Sequence, residues 1–220
     1  MSLDGLVHRV RPARGEPEGA LVLFHGRGAD EHDLFGFLDL LDPERRLVGF
    51  TPGGPLFLPP GGRHWYVVPR VGFPDPETFA ASYGLLEGFL AGVAQQTGIP
   101  ERRTVLGGFS QGAVMAYAMG LGRGRPTPAG IVALSGFIPT VGGWQPELER
   151  PDLPVWIAHG RRDPVIPVDF ARSARDRLEA AGVPVAYHES EAAHHVDPRS
   201  LAGLATWVGD AVAAGATAPG

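Results

Sequence analysis

Apolar residues along this chain fall into two patterns. Unbroken runs at 20–24 and 130–135 suit central parallel strands covered on both faces. Further strands are expected at 46–50, 64–68, 104–106, 153–159 and 183–188. Pro154 sits near the start of its strand, where the missing N–H is tolerable. Residues 6–10 alternate apolar and polar, as an edge strand does. The second pattern repeats every three or four residues. It predicts a helix over 76–96, with Phe79, Tyr83, Leu86, Leu90 and Val93 in one stripe. A helix over 168–181 places Phe170, Ala174 and Leu178 on one side. A closing helix over 199–213 carries Leu201, Leu204, Trp207 and Val208. Another is expected to begin near Glu31 and carry Leu34, Phe35, Leu38 and Leu41. Residues 51–62, 122–128 and 136–152 read as loops, and 214–220 as a frayed tail.

Strands therefore alternate with helices throughout. That predicts an α/β chain: a mostly parallel central sheet flanked by helices on both faces. The length of 220 residues suits a single domain spanning 1–220. Right-handed crossovers put the loops after the strands on one sheet edge, where open α/β sheets bind ligands. His25-Gly26, Ser110, Asp163 and His194 each follow a predicted strand, so all are expected on that edge.

Composition removes several function classes. Net charge is -5 with no dense basic patch, which argues against nucleic acid as a partner. No apolar run is long enough to span a bilayer, so no stable membrane insertion is expected. The first residues lack the basic and apolar blocks of a signal peptide, and a cytoplasmic location is expected by default. There is no cysteine, hence no disulfide, no thiolate metal site and no thiol nucleophile. Covalent catalysis would have to use a hydroxyl. A homodimer is left open.

The candidate hydroxyl lies in Gly108-Phe109-Ser110-Gln111-Gly112, between the strand at 104–106 and a helix through 113–119. Strand, tight turn and helix are the context of a nucleophile elbow, and glycine two before and two after the serine permits close strand–helix approach. The competing reading is that Ser110 merely caps the helix. A serine hydroxyl needs a base, and the base needs an orienting acid. Asp163, just past the 153–159 strand, can orient a histidine from the following βα loop; its alternative is a turn aspartate before Pro164. That loop contains both His194 and His195, and order along the chain favours one of the pair. His159, before the acid, is better placed to support it. Asp197 looks like the cap of the final helix, and Glu189 and Glu191 follow the wrong strand. Acyl transfer puts negative charge on the former carbonyl oxygen and needs two fixed donors. The Gln111 amide supplies one, and the Arg27 amide after the 20–24 strand is the choice for the other. The Arg27 side chain could also meet a substrate carboxylate or Asp30. No dinucleotide fingerprint, phosphate loop or zinc spacing occurs, so no cofactor and no metal are expected.

At these residues the chain resembles the phospholipase/carboxylesterase family of α/β-hydrolases, which includes bacterial carboxylesterases and acyl-protein thioesterases. Residues 23–31 are similar to that family's oxyanion segment, 107–113 to its elbow with Gln after Ser, 131–136 to the following strand, and 159–167 to its acid segment. The resemblance covers nearly the whole chain. It selects His194 over His195, because Ala193 precedes it, Val196 follows two residues on, and Trp207 stands in the last helix. It implies a serine hydrolase acting on a small-molecule ester or thioester, with the acyl chain in an apolar groove. No large cap insertion is present, so the site should be open. Arg63-His64-Trp65-Tyr66 resembles the family's Arg-x-Trp-Phe/Tyr segment, but Val67 stands where an acid would follow. Phe57, Leu58, Trp65, Phe73 and Phe137 are the candidate substrate-pocket walls under that resemblance.

Overall fold

The computed structural model describes Leu3 and residues 5 to 217. Its strands are β1 (His8–Arg11), β2 (Gly19–Phe24), β3 (Leu47–Pro52), β4 (Leu56–Phe57), β5 (Arg63–His64), β6 (Thr104–Phe109), β7 (Gly130–Leu134), β8 (Val155–Gly160) and β9 (Val185–Ser190). Its helices are α1 (Phe37–Leu41), α2 (Pro76–Thr97), α3 (Gln111–Leu121), α4 (Asp169–Ala180) and α5 (Leu204–Thr217). Seven strands form one sheet in the order β1-β3-β2-β6-β7-β8-β9. Only β1 runs antiparallel, against β3. The small β4–β5 ribbon lies apart from it.

Side chains alternate across a strand, and here the alternation sorts two cores. Val22, Phe24, Leu106, Ile131 and Ile157 face one side, where α2, α3 and α4 pack. Leu21, Leu23, Val105, Val132 and Trp156 face the other, against α1 and α5. Both faces are covered, which is why β2 and β7 could be apolar without interruption. α3 is buried at every position. α2 starts where Asp75 accepts a hydrogen bond from the Thr78 amide and stops at Gly98 in a left-handed conformation.

Several sequence expectations need correction. The helix expected from Glu31 is regular only over Phe37–Leu41, because residues 31–36 form successive turns. The strand expected at 64–68 shrinks to Arg63–His64; beyond it the backbone bends over the sheet edge, where Gln111 rather than a neighbouring strand satisfies it. The last strand begins at Val185, after Pro184. The closing helix starts at Leu204, behind a separate short 3-10 turn (Pro198–Leu201) capped by Asp197. It continues to Thr217, so 214–217 are helical, while 218–220 of the expected tail lie outside the described residues. Among the described residues no helix is long and apolar enough to cross a membrane.

Backbones pack very closely where α3 meets the sheet. A Cβ built on Gly112 would lie 1.9 Å from the Phe24 carbonyl oxygen, and one on Gly108 would lie 2.4 Å from the Gly112 carbonyl carbon. Gly112→Ala should therefore force the helix off β2 and cost about 4 kcal/mol or more, the range of severe core lesions. Gly84→Ala, in α2 with nothing within 4 Å, should instead stabilise by up to about 1 kcal/mol. Urea unfolding of the two variants checks this contrast.

Candidate active site

Ser110 occupies the turn between β6 and α3 with φ 54° and ψ -119°, a conformation a serine adopts only when its surroundings impose it. Its amide continues the sheet by donating to Leu134 O at 2.8 Å, and its carbonyl accepts from the Val114 amide at 3.2 Å. Both ends of the residue are thus fixed. Its side chain makes no capping bond to α3, so capping does not explain the serine. The hydroxyl oxygen lies 2.9 Å from His194 Nε2 instead.

His194 comes from the loop between β9 and the Pro198–Leu201 turn. Its Nδ1 lies 2.7 Å from Asp163 Oδ2. The carboxylate can only accept, so Nδ1 carries the proton and Nε2 is left to receive the serine's. The Asp163 side chain is fully buried, whereas that of His194 keeps 18% exposure. Asp163 Oδ1 accepts from the Val165 and Ile166 amides, each at 2.8 Å. These bonds come from its own turn and lock the carboxyl orientation. His159 Nε2 donates to Ile166 O at 2.8 Å and lies 3.3 Å from Asp163 Oδ2. His159 therefore backs the acid, as its position before Asp163 suggested. His195 is exposed, and Glu189 and Glu191 are taken by Arg161, Arg172 and Arg162.

The loop after β2 passes close to the serine: a Cβ on Gly26 would sit 3.5 Å from Ser110 Cβ. This loop is held from three directions. His25 Nδ1–H donates to Gly26 O at 2.7 Å, and His25 Nε2 accepts from the Gly54 amide at 2.8 Å. The indole of Trp65 donates to His25 O at 2.9 Å. The Gly28 amide donates to Arg63 O, and the Arg63 amide returns a bond to Ala29 O. Gly62, at φ 88°, passes so near that a Cβ would lie 2.0 Å from Gly28 O. Among the described residues neither the Arg27 amide nor the Gln111 amide donates to a protein acceptor. Two unengaged N–H groups beside a reactive hydroxyl can stabilise a developing oxyanion.

The chain is similar to proteins of known sequence and structure. The family model for Phospholipase/Carboxylesterase matches residues 7–210. The chain belongs to that family. Acyl-protein thioesterase 1 of Yarrowia lipolytica is 29% identical over 200 residues, spanning 84% of this chain and 87% of that protein. Acyl-protein thioesterase 1 of Debaryomyces hansenii is 26% identical over 225 residues, spanning 92% and 95%. The crystal structure of esterase PE8 is 26% identical with a TM-score of 0.78, covering 93% of this chain and 98% of that one. The Bacillus cereus carboxylesterase, at 22% identity, shares the fold with a TM-score of 0.80 over 94% and 95% of the two chains. This phospholipase/carboxylesterase chain is accordingly an α/β-hydrolase without a large cap.

A cleft of about 350 Å³ opens beside Ser110. Of the expected walls only Phe137 lines it. Trp65 is fully buried, with its indole bonded to His25 O beneath the loop after β2. Phe57 projects from the β4–β5 ribbon with 65% exposure, and Leu58 lies over Gly28 outside the cleft. Phe73 is covered on one face by the Arg70 guanidinium. The walls that the sequence reading missed include Tyr66, Val71, Val165 and Ile166. The last two stand two and three residues after Asp163, and that nearness was the available signal. Also missed was the Gln111 side chain, whose Oε1 accepts from the Trp65 amide at 2.7 Å while Nε2 donates to Tyr66 O at 2.7 Å. Away from the cleft, Asp30, Glu31 and His32 bring three donor atoms within 4.8 Å of one another, but Asp30 accepts from the His32 amide and Glu31 faces Arg63.

Removing the Gln111 amide would strand a buried N–H and a buried carbonyl. Gln111→Ala should cost about 2–4 kcal/mol, roughly the sum of two unsatisfied groups, and urea unfolding measures it. A second expectation concerns acid. Burial pushes the imidazoles of His25, His64 and His159 below their ordinary value. The unfolded chain then binds protons that the folded chain refuses, so this stability is present above the unfolded value and is lost as pH falls below it. The urea midpoint should drop between about pH 7 and 5.5, before carboxylates titrate. A flat midpoint across that window would contradict the neutral, buried histidines.

Proposed function

We propose that this chain is a serine carboxylesterase, working through Ser110, His194 and Asp163 and an acyl-enzyme intermediate. The observation that carries the reading is the line of bonds from Asp163 Oδ2 through His194 to Ser110 Oγ, at 2.7 and 2.9 Å, beside two unengaged amides. The Ser110 oxygen attacks the ester carbonyl while Nε2 of His194 takes its proton. Asp163 holds the imidazole in the receiving tautomer and stabilises the imidazolium. The tetrahedral oxyanion accepts hydrogen bonds from the Arg27 and Gln111 amides. His194 then protonates the leaving alcohol, and water repeats the sequence on the acyl-enzyme. Every group required comes from the chain itself.

Substrate size follows from the cleft. Its 350 Å³ is near the lower end of the usual range for ligand pockets, about 300–1,000 Å³. Short acyl arms fit such a space better than long ones. The names of the Yarrowia and Debaryomyces relatives bring thioesters into range as a second substrate class, since the same oxyanion and acyl-enzyme serve both.

A fluorophosphonate probe should label Ser110, located by peptide mass analysis. His194→Ala should lower kcat on the order of 10³-fold or more, as loss of the base does in serine hydrolases, while His195→Ala should stay near the native rate. Equal losses at the two histidines would assign the base wrongly. Over para-nitrophenyl esters of increasing length, with an acyl-thioester alongside, kcat/KM should peak at short chains. A maximum at long-chain thioesters would favour the deacylase reading.

A further inference from the structure

The cleft beside Ser110 contains two guanidinium-bearing residues, Arg27 and Arg70, and no carboxylate. That is unexpected in a protein whose net charge is -5. Neither arginine forms an ion pair among the described residues. The acids nearest Arg27 in sequence are turned elsewhere: Asp30 faces His32 at 3.5 Å and Glu31 faces Arg63 at 3.7 Å. Arg70 is held by an aromatic neighbour, its guanidinium carbon 3.8 Å from the centroid of the Phe73 ring. Stacking occupies the flat face of a guanidinium and leaves its in-plane N–H donors pointing outward, in the fork that matches a carboxylate. An alkyl chain laid across these groups would strip water from two unpaired cations and return nothing for it. An anionic arm would pair with them in a site partly shielded from water, where the field of a cationic cleft is concentrated.

We propose that the cleft selects esters carrying a free carboxylate on one arm, bound by the Arg27 and Arg70 guanidiniums. This rests on the esterase reading above and names its substrate class: monoesters of dicarboxylic acids, or esters of hydroxy acids. Hydrolysis forms one bond, acyl carbon to the oxygen of water, and breaks one, acyl carbon to the leaving oxygen. The arm's own carboxylate is a binding group and is unchanged by the reaction.

The test uses near-isosteric pairs of one charged and one neutral ester, each rate taken relative to the hydroxide-catalysed hydrolysis of the same ester. On the acyl side, the mono-para-nitrophenyl ester of glutaric acid is compared with its terminal amide. On the alcohol side, 4-carboxyphenyl butyrate is compared with 4-carbamoylphenyl butyrate. On one of the two arms the charged member should have a kcat/KM higher by about tenfold, the size of one charge-assisted hydrogen bond in a half-open site. Raising the salt concentration should shrink the preference. Arg27→Gln and Arg70→Gln should each lower the charged-to-neutral ratio, whatever they do to the absolute rate. A ratio near one on both arms would overturn the inference, as would a preference that survives both substitutions. Turnover of the neutral esters that vanishes in Ser110→Ala keeps the esterase reading intact in either case. Absence of Ser110-dependent turnover for any of the four esters would remove that reading first.

Discussion

The site depends on one steric constraint, the contact of α3 with the backbone of β2. Gly112 lies against the Phe24 and His25 carbonyls, and Gly108 lies against Gly112. No side chain can stand between them. The chain must therefore leave β6 and enter α3 within a single residue, and that residue takes φ 54°. The strain at Ser110 is maintained because both its neighbours are immersed: β6 is paired on both sides, and α3 is buried at every position. A hydroxyl placed this way is carried between a strand paired on both sides and a fully buried helix. The same contact brings the first turn of α3 beside the loop after β2, and among the described residues the Arg27 and Gln111 amides there have no protein acceptor.

A second layer of organisation comes from residues 62–66, which act as a template for that loop. They have almost no regular structure of their own. Their backbone is satisfied by exchange instead: Arg63 trades bonds with Gly28 and Ala29, Trp65 and Tyr66 bond both ends of the Gln111 amide, and Ser82 donates to Trp65 O. Backbone and side chain of Gln111 are thus separately engaged. Its backbone N–H has no protein acceptor among the described residues, and its side chain ties down residues 65 and 66, which support the loop after β2. A glutamate at 111 could still accept from the Trp65 amide, but it would turn an acceptor toward the Tyr66 carbonyl. An amide satisfies both the donor and the acceptor offered by these consecutive residues. His25 completes the arrangement because burial keeps its imidazole neutral, with one nitrogen donating and the other accepting.

The parts legible in the sequence were those set by period and by order. Alternation of apolar runs with three- and four-residue stripes gave the parallel sheet, and the order Ser110, Asp163, His194 along one edge gave residues that the structure brings into hydrogen-bond contact. Less legible were segments organised by single polar contacts across large sequence distances. Residues 64–68 have strand-like composition, yet Gln111, more than forty residues on, satisfies the backbone there. Residues 31–36 have helix-like apolar spacing, yet successive turns place Leu34 in the core without a helix. Aromatic residues were the poorest guide to the cleft. Trp65 is large, apolar and next to the site, and the same features make it the supporting indole under the loop after β2.

Position 67 ties the electrostatics of the cleft to the backbone beneath it. The resemblance placed an acid after Trp65-Tyr66, and this chain has valine. Val67 is 45% exposed beside Val68 on the cleft wall, and its amide donates to Thr78 Oγ1 at 3.1 Å. The backbone is therefore anchored to the start of α2 whatever side chain stands there. Valine in place of an acid changes the field, not the frame. An acid at the mouth would offset the nearby guanidiniums and repel an anionic arm. With valine there, Arg27 and Arg70 stand at a cleft whose lining holds no carboxylate, and under the proposal above the balancing charge arrives with the ligand.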